Sequence, residues 1–278
     1  MQDNKIGDLE FLSYTRFEAY RKVTNVVTTR MAGRSAGVYH SLNLGLGVGD
    51  DPDAVLENRA MLAEALGIEP LSLTFAEQVH GSKVAVVKSP SRGRGAVTND
   101  DALSKTDALV TNVRDLPLMV LIADCVAISF YDPHQNAVGL AHAGWKGTLG
   151  RIAELTVAKM VSAFGCDPAD IVAGISPSIG RGHYDVGEEV VDAFRKEFGR
   201  QVTNDLAQED MDGTCYLDLW AANESQLLGQ GIPAENIALA EMCTACHPGR
   251  FYSHRHDSGR TGRFGALVML HATTSRQY

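Results

Sequence analysis

The sequence has no excess of basic charge: 25 Lys and Arg stand against 34 Asp and Glu, a formal net charge of −9. Non-specific binding of a polyanion needs a basic surface that releases counterions, so nucleic acid is not expected as a partner. A local anion pocket is compatible with this balance. Long apolar runs are also lacking. The longest, Leu116 to Tyr131, is short for a bilayer and carries Asp124 in its interior, where a charge is costly in hydrocarbon. It reads as a buried strand, and no membrane partner is expected. The first residues, MQDNKIGDLEF, lack the basic stretch followed by apolar residues that marks a secretory signal, so a cytoplasmic location is expected. Cysteine is sparse and odd in number, five residues in 278, which argues against a disulfide framework and for reduced thiols, some able to bind metal. Repeats, low-complexity tracts and an obvious linker are missing too. One domain spanning 1–278 is therefore expected.

What is present is a core-forming composition, 45% hydrophobic and 21% charged. Short β-branched or apolar runs predict strands near residues 25–29, 84–88, 108–111, 118–131, 137–142, 171–175 and 266–271. Between them, Asp51 followed by Pro52 predicts a helix start and Gly67 its end. A second helix is expected from about Gly147 to Gly165, with Leu149, Ile152, Thr156, Met160 and Phe164 along one stripe. A third covers 188–198, and a fourth follows Asp218. Strands interleaved with helices give an α/β or α+β fold with mixed sheets. The stretch 89–101, SPSRGRGAVTNDD, has no apolar period and reads as an exposed, mobile loop.

Residues 132–136, DPHQN, read as the turn of an antiparallel hairpin. A turn symmetric about His134 sets Cys125 opposite Ala143, and a shift of one residue makes His142 its partner. Directly opposed side chains on one face stand roughly 4.5–5.5 Å apart at Cβ, near enough to share a metal. Taken alone, Cys125 also reads as a core cysteine and His142 as a strand-end histidine. The strand then runs through His142-Ala143-Gly144-Trp145-Lys146-Gly147 into a helix, a glycine turn that can receive an anion. His80, followed by Gly81, reads on its own as a loop histidine, but in combination with the other two it is a candidate third ligand; two imidazoles and one thiolate around zinc would leave a fourth position open, the catalytic rather than structural arrangement. About one zinc per chain is expected. Cys243-Thr244-Ala245-Cys246-His247 lacks a second CxxC, and His247 adjoins Cys246 too closely to share a metal with it. It reads as two reduced cysteines in a loop, and Cys215, Cys243 and Cys246 are not expected as ligands. A polar cluster, FYSHRHD from Phe251 and then Thr261-Gly262-Arg263, suits a sugar, a phosphate or solvent.

Six blocks in order resemble the YfiH family, also called laccase-domain or polyphenol oxidase proteins, peptidoglycan editing factor and purine nucleoside phosphorylase. They are TTRMAGRSAGVYHSLNLGLGVGDDPDAVLENR from Thr28, AEQVHG from Ala76, TDALVT from Thr106, ADC from Ala123, AHAGWKGTLGRI from Ala141 and FYSHRHDSGRTGRFGAL from Phe251. The resemblance implies a fold of stacked mixed sheets with helices outside, similar to a cysteine-hydrolase class. It implies the metal ligands His80, Cys125 and His142, which also carry the catalysis, with zinc as the metal or copper in its place. It implies substrate binding by Asn43, Arg59, Gln78, Lys146, Ser253 and Arg255, of which Arg59, Lys146 or Arg255 would neutralise phosphate. The implied activities are phosphorolysis of adenosine, inosine, guanosine and methylthioadenosine, and hydrolytic deamination of adenosine through a zinc-activated water. The partners are then purine nucleosides and phosphate, with no protein partner evident. Asp124 and Glu77 are candidate proton carriers, although strand alternation would turn Asp124 away from Cys125. Two rival readings remain: a metal-free hydrolase with Cys125 as nucleophile and His142 as base, and a copper oxidase. The second finds only one His-x-His pair, His254 and His256, among nine histidines, too few for a multicopper relay.

Overall fold

The apolar run from Leu116 forms two strands, and they belong to different sheets. In the computed structural model, which describes residues 1–272, the run divides at Ala123, Asp124 and Cys125. Asp124 takes the left-handed φ of +85° and turns the chain from one sheet to the other. The first sheet has the order β1 (Gln2–Ile6), β2 (Leu9–Ser13), β3 (Val23–Thr28), β15 (Phe264–Leu270), β7 (Leu118–Ile122) and β4 (Thr74–Phe75). The second has β14 (Ile237–Leu239), β10 (Val172–Ile175), β8 (Val126–Asp132), β9 (Ala137–Ala143), β6 (Ala108–Thr111) and β5 (Val84–Val86). Both are mixed: β4 on β7, β5 on β6 and β14 on β10 pair in parallel, at sheet edges. A small sheet holds β11 (Asp185–Val186), β13 (Cys215–Leu217) and β12 (Ala207–Glu209).

The two large sheets stack face to face. Leu118, Val120 and Ile122 of β7 meet Ala127 and Tyr131 of β8 and Val138 and Leu140 of β9 in one buried cluster. The alternate residues point outward under helices. Met119 and Leu267 pack against Leu62, Ala63 and Leu66 at the helix Pro52–Ala65. Val126, Ile128 and Phe130 pack with Ile152, Val157 and Met160 of the helix Ile152–Phe164, and with residues of the helices Glu188–Phe198 and Leu219–Gly229. Strands covered on both faces have no solvent side, which explains why 118–131 reads as an unbroken apolar run. The expected layering, mixed sheets inside and helices outside, is what the chain adopts. Among the described residues, no helix is long and apolar enough to cross a membrane.

Besides the division of 118–131 into two strands, three expectations need correction. The hairpin is antiparallel and lies in one sheet, but its register pairs Ala127 with His142 and Val126 with Ala143. The Asp132 carboxylate accepts from the His134 and Gln135 N–H groups at 2.8 and 2.9 Å, so the turn centres between those residues rather than on His134. Cys125 therefore lies two residues before the partner of His142, just outside the strand. A displacement of two keeps it on the same face. The helix expected from Gly147 to Gly165 is broken into Trp145–Leu149 and Ile152–Phe164, because Arg151 is left-handed at φ +59°. Residues 89–101 hold two short 3-10 turns with Gly95 and Ala96 buried between them, so this stretch is an anchored connection rather than a free loop. The N-terminal hairpin β1–β2 was not read from sequence.

The stacking leaves no room at Gly174 of β10, where a Cβ would stand 2.5 Å from the ring of the buried Tyr14. Gly174→Ala should destabilise the protein by about 1–3 kcal/mol through overpacking, read as a lower urea midpoint. Tyr14→Leu in the same chain should recover part of the loss; equal midpoints for wild type and Gly174→Ala would disprove the close contact.

Candidate metal and active site

Asp107 precedes β6, and its carboxylate is fully buried. Oδ1 accepts from the His80 N–H at 2.9 Å, and Oδ2 from those of Gly81 at 2.8 Å and Val79 at 3.2 Å. Oδ1 also lies 2.9 Å from His142 Nδ1, while the Asp107 carbonyl accepts the His142 N–H at 2.7 Å. One side chain thus fixes both histidines: His142 by its ring and His80 by its backbone, which is held in the left-handed region at φ +58°. With Nδ1 of His142 engaged, Nε2 is the nitrogen left for another partner. The rings of His80 and His142 stand 4.8 Å apart at 76°, and Cys125 completes a group whose ligand atoms all lie within 4.8 Å of one another. Gly144 is needed beside them, since a Cβ there would be 3.0 Å from both Cys125 Sγ and His80 Cδ2. Two nitrogens and one sulfur in this arrangement suit zinc with a fourth position free, or copper.

These residues lie at the wall of a cleft of about 940 Å³, lined also by the 45–48 loop, Gln78, Asp124, Tyr184, His254 and the guanidinium-bearing Arg94, Arg255 and Arg263. Of the expected substrate-binding residues, Arg255 and Gln78 reach the cleft. Gln78 has both amide atoms engaged with the Leu121 backbone at 2.8 Å, and Arg255 ties to Asp185 and the His183 carbonyl. Asn43, Arg59, Lys146 and Ser253 are not among the lining residues. Asn43 is buried, bonding Gly45, Asp50 and the Arg263 N–H, and so shapes the 45–48 loop from behind. Arg59 is also buried, donating to the carbonyls of Leu44, Gly95 and Ala96 at 2.7–2.9 Å with its guanidinium 4.0 Å from the Phe75 ring centroid. These bonds brace the 44 and 95–96 backbone. Lys146 is exposed and lies over the Trp145 ring, and the buried Ser253 hydroxyl accepts from the His256 N–H.

Asp124 is not in a strand, so the alternation argument does not apply to it. It lines the cleft with one oxygen accepting from Thr244 Oγ1 at 2.5 Å and the other from the Arg255 N–H at 2.7 Å. Glu77 also faces the cleft, accepting from the Lys105 N–H and Ser104 Oγ, which hold its carboxyl below the usual range.

Residues 24–271 match the family model described as multi-copper polyphenol oxidoreductase laccase. The chain belongs to this laccase-domain family. Purine nucleoside phosphorylase YlmD of Bacillus subtilis is 39% identical over 242 residues, covering 87% of this chain and 86% of that one. An adenosine deaminase from an unknown prokaryotic organism is 35% identical over 258 residues, covering 91% and 97%. The crystal structure of the YfiH protein of Bacillus licheniformis superposes with a TM-score of 0.89 at 36% identity, over 95% of this chain and 96% of that one. This member of the laccase-domain family is an enzyme, and the YfiH resemblance read from its six sequence blocks holds along its length.

The electrostatics of this laccase-domain site centre on Cys125. Burial raises its thiol, but His142 and His80 outweigh burial and bring it down to about 6. Burial likewise lowers His142, and Cys125 with Asp107 overrides it, raising the imidazole to about 9. In metal-free protein both shifts favour the thiolate–imidazolium form of the pair. Since the thiolate is the reactive form, iodoacetamide should alkylate Cys125 of chelator-treated protein with a midpoint near pH 6, below the ~8.5 of a free thiol. Asp107→Asn removes the anion that keeps His142 protonated and should move that midpoint upward. A midpoint unchanged in Asp107→Asn would remove Asp107 from this account.

Proposed function

We propose that this enzyme processes purine nucleosides, by phosphorolysis of adenosine, inosine, guanosine and methylthioadenosine to base and ribose 1-phosphate or its methylthio analogue, and by hydrolytic deamination of adenosine. The observation that carries the reading is the convergence of His80, Cys125 and His142 at an arginine-lined cleft large enough for a nucleoside and an anion. The names of the two relatives, a purine nucleoside phosphorylase and an adenosine deaminase, support it. In this reading residues 1–278 act as one catalytic domain.

His80, Cys125 and His142 would hold zinc, which when bound would supply Lewis acidity and lower the pKa of a water. Asp107 keeps His142 Nδ1 occupied and its ring oriented, as a carboxylate behind a ligating histidine does. In phosphorolysis, a phosphate oxygen forms the new bond to ribose C1′, the glycosidic bond breaks, and the base leaves with a proton. Arg255 and Arg263 stand at the cleft to balance the anion. In deamination, water adds at purine C6 and ammonia departs. Asp124 and Glu77, two of the carboxylates that line the same cleft, are the candidates to carry protons.

A second reading draws on one specific observation. Cys125, His142 and Asp107 also have the order of a nucleophile, its base and an orienting carboxylate, as a metal-free hydrolase requires. Copper oxidation has less support: among the described residues neither candidate metal group includes His254 or His256. Chelation decides between the first two. Nucleoside turnover should fall at least about 10²-fold on metal removal, the scale of losing a main electrostatic or acid–base contribution, and return with zinc. Free base and ribose 1-phosphate should form only with phosphate present. Full activity in chelated protein, with a thioester trapped on Cys125, would favour the hydrolase.

A further inference from the structure

The segment Cys243-Thr244-Ala245-Cys246 lacks a partner in sequence, but the fold supplies one. After β10 the chain reaches the 3-10 turn Arg181–His183, which lies alongside that segment. Ser178 and Cys243 form a parallel bridge. The Ser178 N–H donates to the Met242 carbonyl at 3.2 Å, and the Thr244 N–H to the Ser178 carbonyl at 3.0 Å. This pairing brings His183 Nδ1 to 3.5 Å from Cys246 Sγ and 3.7 Å from Cys243 Sγ. All three ligand atoms lie within 4.8 Å of one another.

These separations have chemical meaning. A tetrahedral zinc with Zn–S of about 2.3 Å and Zn–N of about 2.05 Å sets its sulfur and nitrogen ligands about 3.6 Å apart, and both S···N distances here fall beside that value. The buried Cys243 sulfur also accepts the Gly180 N–H at 3.2 Å, which fixes its position beside the turn. His247 is turned elsewhere, with Nδ1 on the Cys243 carbonyl at 2.8 Å.

We propose that His183, Cys243 and Cys246 form a second metal site, taking zinc or a similar thiolate-seeking divalent cation, separate from the group at His80, Cys125 and His142. Two thiols give up their protons, neutral His183 offers the Nδ1 lone pair, and solvent fills the fourth position, because Cys246 and His183 are exposed. This replaces the expectation that Cys243 and Cys246 are not ligands. The metal fastens the 181–183 turn, which leads into the cleft residue Tyr184, to the loop whose Thr244 holds Asp124. It is therefore a clamp on the cleft rim.

The test counts metals and does not depend on activity. Protein purified without chelator and under reductant should carry about two zinc per chain, and Cys125→Ser, Cys246→Ser and His183→Ala about one each. Loading the Cys125→Ser chain with cobalt should give thiolate-to-cobalt charge-transfer absorption, which Cys246→Ser added to it abolishes. Circular dichroism checks that the variants fold, and because His183 and Cys246 are exposed, either serves if a Cys243 variant does not. The site is overturned if Cys246→Ser and His183→Ala keep the wild-type metal content, or if Cys243 and Cys246 are found as a disulfide under reductant. Metal lost only with Cys125→Ser leaves the His80 site standing and removes this one; metal lost only with Cys246→Ser does the reverse.

Discussion

The carboxylate of Asp107 accepts three backbone N–H groups from residues 79–81 and faces the His142 ring. A buried carboxylate is costly unless fully hydrogen-bonded, so these four partners are a condition of folding as well as of the site. The same bonds that make the acid tolerable place His80 in a left-handed conformation a non-glycine residue rarely adopts. They also fix the His142 ring through Nδ1, which leaves Nε2 as the nitrogen for another partner. Removing the acid would release two elements together, the His80 loop and the His142 ring.

Around this anchor, the two-sheet stack explains why the third residue is where it is. Cys125 sits at the step where the chain leaves β7 in one sheet for β8 in the other, beside the left-handed Asp124. That step opens the end of the stack, and the cleft forms there. Glycines 81, 144 and 147 let the pieces close: a Cβ on Gly81 would stand 3.3 Å from Asp107 Oδ2, and one on Gly147 would stand 3.1 Å from the Gly81 carbonyl. The buried Arg59 and Asn43 brace the walls from behind, which accounts for polar residues in the core that never reach the cleft.

Much of this was legible in the chain. The Asp51-Pro52 helix start is realised, with Asp51 accepting from the Asp53 N–H, and the helix 188–198 has the bounds read for it. Hairpin, fold class and the trio His80, Cys125 and His142 follow from apolar period, turn chemistry and the resemblance of six blocks. Asp107 lies within the TDALVT block, but its local sequence does not mark it as a site residue. Its meaning depends on β6 pairing with β9, Ala108 opposite Ala141, which puts residue 107 beside His142. Nothing in the local sequence states that pairing.

The sequence by itself determined where the longer central strands and most of the main helices lie and which residue types carry chemistry, because those depend on periodicity, turn residues and short-range spacing. It also determined family membership, through motif order. Only the tertiary structure decided that one apolar run serves two sheets, that Cys125 stands two residues out of register, and that Arg59 lies buried and off the cleft lining. It alone brought His183 to Cys243 and Cys246, across 60 and 63 residues. The physical reason is common to these cases: each depends on which distant segments pair, and pairing is set by the shared burial of whole sheets rather than by any local stretch of chain.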